Sequence, residues 1–213
     1  MPRRIIDHHA SIVIVKADNL FFFNGYDLGY PRPEWVGCLS PLGGNYEKGD
    51  VSPLALLQRE IIEEMTDEEK KFGNFDSAGA EVLKENILKN IQPYQDFVIV
   101  DPVIEKTKNF TREQRSAIIS FYEAVVPKSL LEATRRLLGK EGKRVISEGD
   151  GGSVVDIDYL LSGKRYLAWS NPFMMSHYLG KMVPCSREGE AEPIGLPRES
   201  LEKYLSDFEY IKF

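Results

Sequence analysis

Between Gly43 and Glu64 lies the stretch that most restricts how this chain can fold: a Gly-Gly pair, a Gly49-Asp50 turn, and a helix opening at Ser52-Pro53. Serine at an N-cap accepts a hydrogen bond from the first turn, and proline at the first helical position gives up no hydrogen bond. The spacing predicts a helix running to about Met65, with Leu54, Leu57, Ile61 and Met65 as its apolar stripe. At about 100° per residue, Glu60, Glu63 and Glu64 fall inside a neighbouring arc of roughly 100°. Like charges so placed destabilise a helix. A divalent cation resolves the conflict, because Mg²⁺ takes oxygen ligands from carboxylates, water and substrate phosphates. Taken alone, Arg59–Glu64 also fits a solvated acidic face. The glycine-rich lead-in favours a metal site, because it sets the carboxylates beside a flexible backbone loop.

The flanking segments alternate between strand and helix patterns. Ile12–Val15 and Leu20–Phe23 read as an antiparallel hairpin turning at Lys16–Asn19. Gly25–Glu34 is loop, and Trp35–Leu39 is a short strand. Thr66–Glu69 has the form of a capping box opening a second charged segment. Glu81–Asn90, Leu130–Leu138, Trp169–Leu179 and Glu199–Phe208 read as helices; Phe97–Val100, Ala117–Val126 and Val154–Ile157 read as strands. Glu188–Pro197 is a polar linker. This order predicts an α/β fold, a mixed β-sheet between helices.

Size and charge narrow the functions available. A chain of 213 residues fits one domain with insertions. A net charge of −6 argues against a large nucleic-acid partner. The apolar run Ser11–Val15 is too short to span a bilayer or to act as a signal segment. Cys38 and Cys185 make no disulfide scaffold, so a soluble protein of the reducing cytoplasm is expected.

The stretch Gly44–Thr66 resembles the Nudix box, whose pattern is Gly, five residues, Glu, seven residues, then Arg-Glu-aliphatic-x-Glu-Glu-x-Gly. Arg59, Glu60, Ile61, Glu63 and Glu64 match in register. Asp50 stands for the first Glu, one extra residue falls before Arg59, and Thr66 replaces the last Gly. The resemblance covers residues 8–65 and extends loosely to about 180, where Ser147–Asp158 and Leu167–Pro172 resemble the family's closing strand and helix. It implies a Nudix-type α/β/α sandwich over 1–180, with a helical insertion around 66–96 and an extension at 181–213. It also implies that Glu60, Glu63 and Glu64 bind Mg²⁺, or Mn²⁺ in its place, with the Gly43 carbonyl. Arg59 would orient the carboxylates, and Glu63, Glu64 and Arg59 would act in catalysis with a further acid from outside the box. Glu148, in a Gly-rich loop, is the candidate for that acid; Asp150 and Glu123 are alternatives.

The activity implied is Mg²⁺-dependent hydrolysis of a phosphoanhydride bond in a nucleoside diphosphate linked to another group. Two alternatives stand beside it: a Nudix-fold nucleotide-binding module without turnover, and a relative isomerising an isoprenyl diphosphate. Tyr26, Tyr30 and Trp35 read either as a stacking surface for a base or as loop packing. His8, His9 and His177 read as surface or packing residues. Cys38 reads as a small hydrophobe, and Lys106, Lys108, Arg112 and Arg115 as a basic loop. The apolar end Tyr210–Phe213 offers a surface for a homodimer.

Overall fold

In strand β1 (Arg3–Ala17) the run Ile12–Val15 is apolar on both faces, and both faces are covered. Val13 and Val15 point into one core, Ile12 and Ile14 into the other. A strand buried on both sides is a central strand. Around it the computed structural model describes residues 3–31, 33–67, 71–100, 113–185, 194–197 and 209–210. β1 turns at Asp18, whose positive φ of 52° suits a tight hairpin, and pairs antiparallel with β2 (Leu20–Gly25), Ala17 facing Leu20. β3 (Leu39–Ser40) pairs antiparallel with the end of β2, and β4 (Leu42–Asn45) pairs with Ala10–Val13 of β1, Ser11 facing Gly44.

Helix α1 (Pro53–Glu64) and helix α2 (Ser77–Asn90) follow, then β5 (Ile91–Val100) and β6 (Glu113–Val125). β6 runs parallel to β1 along nearly its whole length and antiparallel to β5, so the sheet is mixed. Helix α3 (Lys128–Lys140), β7 (Ser153–Asp156) paired with β2, helix α4 (Ile157–Leu161) and helix α5 (Asn171–Leu179) complete the main body. β8 (Ile194–Pro197) adds to β5, and β9 (Glu209–Tyr210) pairs with the start of β1.

Leu57 and Ile61 of α1, Leu83 and Ile87 of α2 and Leu131 of α3 pack on the Val13/Val15 face. Leu160 of α4 and Met174 and Met175 of α5 pack on the Ile12/Ile14 face. Helices on both faces of a mixed sheet are the α/β architecture expected. Among the described residues, no helix is long and apolar enough to cross a membrane.

Several local expectations change. Trp35–Leu39 is not a strand: Pro33–Trp35 forms a 3-10 turn, Gly37 takes a φ of 83°, and pairing starts only at Leu39. The second helix opens at Ser77, capped by Asp76, and not at the Thr66–Glu69 box. Asp67 instead accepts the Lys71 and Phe72 backbone N–H groups. In α1 Leu54 stays 39% exposed and Leu56 is buried in the stripe's company. The segment read as linker ends in β8, and α5 starts at Asn171, after Trp169 in a left-handed conformation. The expected helix Glu199–Phe208 and the basic residues Lys106, Lys108 and Arg112 lie outside the described residues, as does the Arg115 side chain.

A polar clamp locks α5 onto the sheet. The Tyr178 hydroxyl donates to Glu123 at 2.7 Å, and Lys16 pairs with the same carboxylate at 3.1 Å. Tyr178, then Lys16, hold the Glu123 carboxyl below its usual range. A depressed folded-state pKa contributes stability above the unfolded value, lost as pH falls through the folded one. Tyr178→Phe should therefore cost about 1–2 kcal/mol at neutral pH and flatten the acid-side loss of stability, read from urea midpoints between neutral pH and about pH 3.

Candidate active site

Arg59 leaves α1 beside the end of β4. Its Nε donates to Asp50 Oδ1 at 3.2 Å and its Nη2 to Asp50 Oδ2 at 3.1 Å, a two-pronged grip on that carboxylate. Nη2 also donates to the Asn45 carbonyl at 3.1 Å, while Nη1 meets Glu60 and Glu63, each at 3.0 Å. Asp50 accepts the Glu47 N–H, and these contacts, Arg59 first, keep its carboxyl below the usual range. The Asp at the position where the Nudix box has Glu is thus bonded to the helix, and the longer loop is closed by it.

The acids of α1 differ in burial. The Glu63 side chain is 58% exposed, the Glu60 side chain 18%, and Glu64 as a residue only 8%. Glu60 presses on β4 where a Cβ on Gly44 would overlap its carboxyl group. Burial pushes the Glu60 carboxyl up, against the pull of Arg59. Glu64 is raised well above the ordinary range, first by burial, then by the charges of Glu148 and Glu60, against hydrogen bonds from the Gly43 N–H and Asn24. Its Oε2 is buried without a hydrogen-bond partner. On the same face of β1, alternating with the Ile12/Ile14 side, Ser11 Oγ is a second such oxygen.

Glu148 reaches this group from far along the chain. Ser147 donates its N–H to the Glu64 carbonyl at 2.7 Å and its hydroxyl to the Glu63 and Glu64 carbonyls at 3.2 and 3.0 Å. These bonds dock the Glu148 loop on the C-terminal end of α1. The other candidate acids are engaged elsewhere: Asp150 with Arg165 at 2.9 Å, Glu123 in the α5 clamp.

Sequence reading missed Asn24 and Arg165. The only signal for Asn24 was an amide ending the Phe21–Phe23 run; it is now 4% exposed beside Glu64. Arg165 donates to the Gly37 carbonyl, Ser153 and Asp150, fastening two loops whose proximity no local pattern announces. The aromatic residues pack on each other. Trp35 is buried near Trp169, with ring centroids 5.3 Å apart, and Tyr26 stacks on Tyr30 at 3.8 Å. Burial pushes the Tyr26 hydroxyl up to about 12. Cys38 is buried in this cluster as a small hydrophobe, and Cys185 is exposed. His8 bonds Asn45 Oδ1 and His177 bonds Gln95.

Among the described residues no group of acidic, histidine or cysteine side chains forms a ready metal cage. Mg²⁺ needs less, being held by one or two carboxylates with water and phosphate oxygens. Hard oxygen donors, a buried carboxylate oxygen with no partner and mutually repelling acids fit that requirement.

No family model and no curated protein matches the chain. Solved structures do. A mutT/nudix family protein from Listeria innocua is 17% identical with a TM-score of 0.42, over 83% of this chain and 94% of that one. A NUDIX hydrolase from Nitrosomonas europaea is 11% identical with a TM-score of 0.35, over 87% and 97%. The MutT protein of Bacillus halodurans is 13% identical with a TM-score of 0.38, over 83% and 84%. At these scores and identities the likeness assigns no chemistry.

The burial of Glu64 has a direct consequence for stability. A carboxyl whose folded pKa is raised contributes most at low pH and loses that contribution as pH rises through the folded value. Without metal, Glu64→Gln should therefore melt higher than the parent, with a margin that widens from pH 5 to pH 8. Denaturation in EDTA across that range checks it; a margin that narrows with pH contradicts the buried-charge account.

Proposed function

We propose that this chain is a Nudix-type hydrolase that cleaves, with Mg²⁺, a phosphoanhydride bond in a nucleoside diphosphate linked to another group. The supporting observation is the partnerless Glu64 oxygen, buried where the charges of Glu60 and Glu148 converge. Mg²⁺ would be held by Glu60, Glu63 and Glu64 with the Gly43 carbonyl. When bound it supplies charge neutralisation for the phosphates and acidifies an attacking water.

The chain's own residues do the rest. Arg59 holds Glu60 and Glu63 in place and leaves Glu64 free of a cationic partner. Glu148, docked against the end of α1, accepts the proton of the water as its oxygen bonds to phosphorus. The bridging oxygen then departs with the leaving phosphate. Gly44 leaves room for the Glu60 carboxyl, and Gly43 lets the backbone of β1 approach at Ser11 and Ile12.

A binding module that recognises a nucleotide without cleaving it is the second reading, favoured by Asp50 and Thr66 at altered positions of the box. A panel of nucleoside diphosphate derivatives, assayed for the nucleoside monophosphate product with Mg²⁺ and with Mn²⁺, separates the two. The hydrolase reading expects turnover that stops in EDTA and in Glu64→Gln, and falls about a hundredfold or more in Glu148→Gln. Tight nucleotide binding with no turnover across the panel supports the module. Isomerisation of an isoprenyl diphosphate without phosphate release assigns the third.

Metal binding has its own readout. Mg²⁺ at about a hundred times its dissociation constant should stabilise the parent by about 2.7 kcal/mol, and Glu64→Gln should abolish the effect. A melting temperature indifferent to Mg²⁺ counts against the site.

A further inference from the structure

The loop that carries Glu148 is held by a side chain that neither the metal site nor the chemistry uses. Arg144 Nη2 donates to the carbonyls of Glu148 at 3.1 Å and of Gly149 at 2.7 Å. Its guanidinium carbon lies over the Phe72 ring, 3.9 Å from the centroid. The Arg144 backbone is pinned to the same segment: its N–H donates to the Asn74 carbonyl, and its carbonyl accepts from Asp76. Gly151 passes so close that a Cβ there would lie 2.6 Å from Arg144 Cγ. The Gly151 carbonyl accepts from Val145 and Ile146, which folds the loop back over the arginine.

The arrangement carries a cost that packing alone does not explain. Arg144 Nε is buried without an acceptor, and an unmet buried donor is destabilising. What the structure gains is a fixed path for the main chain at Glu148. Ser147 ties one end of the loop to the last turn of α1, and Asp150 ties the other to the Gly25 carbonyl at 2.7 Å. Between them Arg144 grips the carbonyls of Glu148 and Gly149, the first shared with the Gly151 N–H at 3.2 Å. The segment between α1 and α2, read from sequence as surplus to the fold, supplies the ring on which Arg144 rests.

We propose that Arg144, braced on Phe72, is a positioning residue that fixes the path of the Glu148 loop and so sets the reach of the Glu148 carboxylate toward Glu64. The inference rests on the role proposed for Glu148. A lysine is not equivalent to Arg144, because its compact ammonium lacks the planar guanidinium that Arg144 sets over the Phe72 ring.

A double-mutant cycle on turnover tests it, using Arg144→Met, Glu148→Gln and their combination. Arg144→Met should lower kcat between about ten- and a hundredfold with KM little changed. It should cost nothing further in the Glu148→Gln background, since a residue acting only through Glu148 has no effect once Glu148 is gone. Arg144→Lys should fail to restore kcat. Phe72→Leu, which leaves every loop contact in place, should give an intermediate loss and carries the cycle if Arg144→Met does not fold. Hydrogen exchange supplies a readout without substrate: Glu148–Gly152 amides should exchange faster in Arg144→Met and Phe72→Leu while α1 amides keep their protection.

Losses that add in the double mutant overturn the inference and leave the hydrolase reading standing. Full activity in Glu148→Gln removes Glu148 as base and this inference with it. If the parent turns over no substrate, the functional reading fails by itself and exchange decides: unchanged loop protection overturns the role of Arg144, and faster exchange upholds it.

Discussion

Arg59 is the contact on which the candidate site depends. Its guanidinium bonds Asp50 on the loop before α1, Asn45 at the end of β4, and Glu60 and Glu63 on its own helix. The contacts to Asp50 and Asn45 join two other pieces of backbone to α1, so one planar cation fixes the angle between helix and strand. Without it, Glu47, Asp50, Glu60 and Glu63 would face one another with no counter-charge nearby, and a helix loses stability from such spacing. The rigid fork of arginine matters here, because holding a carboxylate and a carbonyl together requires several donors in one plane.

The same cation leaves Glu64 out. Arg59 reaches the outward acids but not the inward one, which has only an N–H and an amide to favour its charge. A carboxylate removed from water and given dipoles in place of a counter-ion is expensive to keep ionised. This gradient, from a paired acid at the surface to an unpaired one inside, is the observation on which the proposed cation site rests. It also places a stability cost at the residue proposed for function, the usual relation between activity and stability.

Sequence patterns captured what local rules govern. The hairpin, the Ser52-Pro53 helix start and the arc of acids on α1 all follow from neighbours in sequence, and all are present. The long parallel pairing of β1 with β6 lay outside those rules, because it joins strands separated by the helices between them. Trp35 was misplaced in a strand because its burial against Trp169 outweighed β propensity. The capping-box motif at Thr66 is real as a pattern, yet Asp67 spends its oxygens on Lys71 and Phe72, and the helix waits for Asp76. Asn24, Arg144 and Arg165 were invisible because each has a partner far away in sequence: the Glu64 carboxyl, the Phe72 ring and the Gly37 carbonyl.

Those distant contacts show how two parts of the chain are brought into one site without a side chain bridging the acids. Gly149 stands where a Cβ would overlap the Gly25 carbonyl, and Gly25 where one would overlap the Asp150 carboxyl group and Arg165. The two loops therefore approach closer than any other residue pair permits, and Asp150 seals the approach with its N–H. Asn24, one residue from this crossing, is carried against Glu64, while Glu148, two residues from it, is carried there from the opposite side. A carboxylate pair that repels cannot assemble itself, so the position of each acid is imposed by backbone hydrogen bonds and by glycines that leave room for them. The proposed chemistry then depends on how closely those two loops are held as well as on the acids themselves.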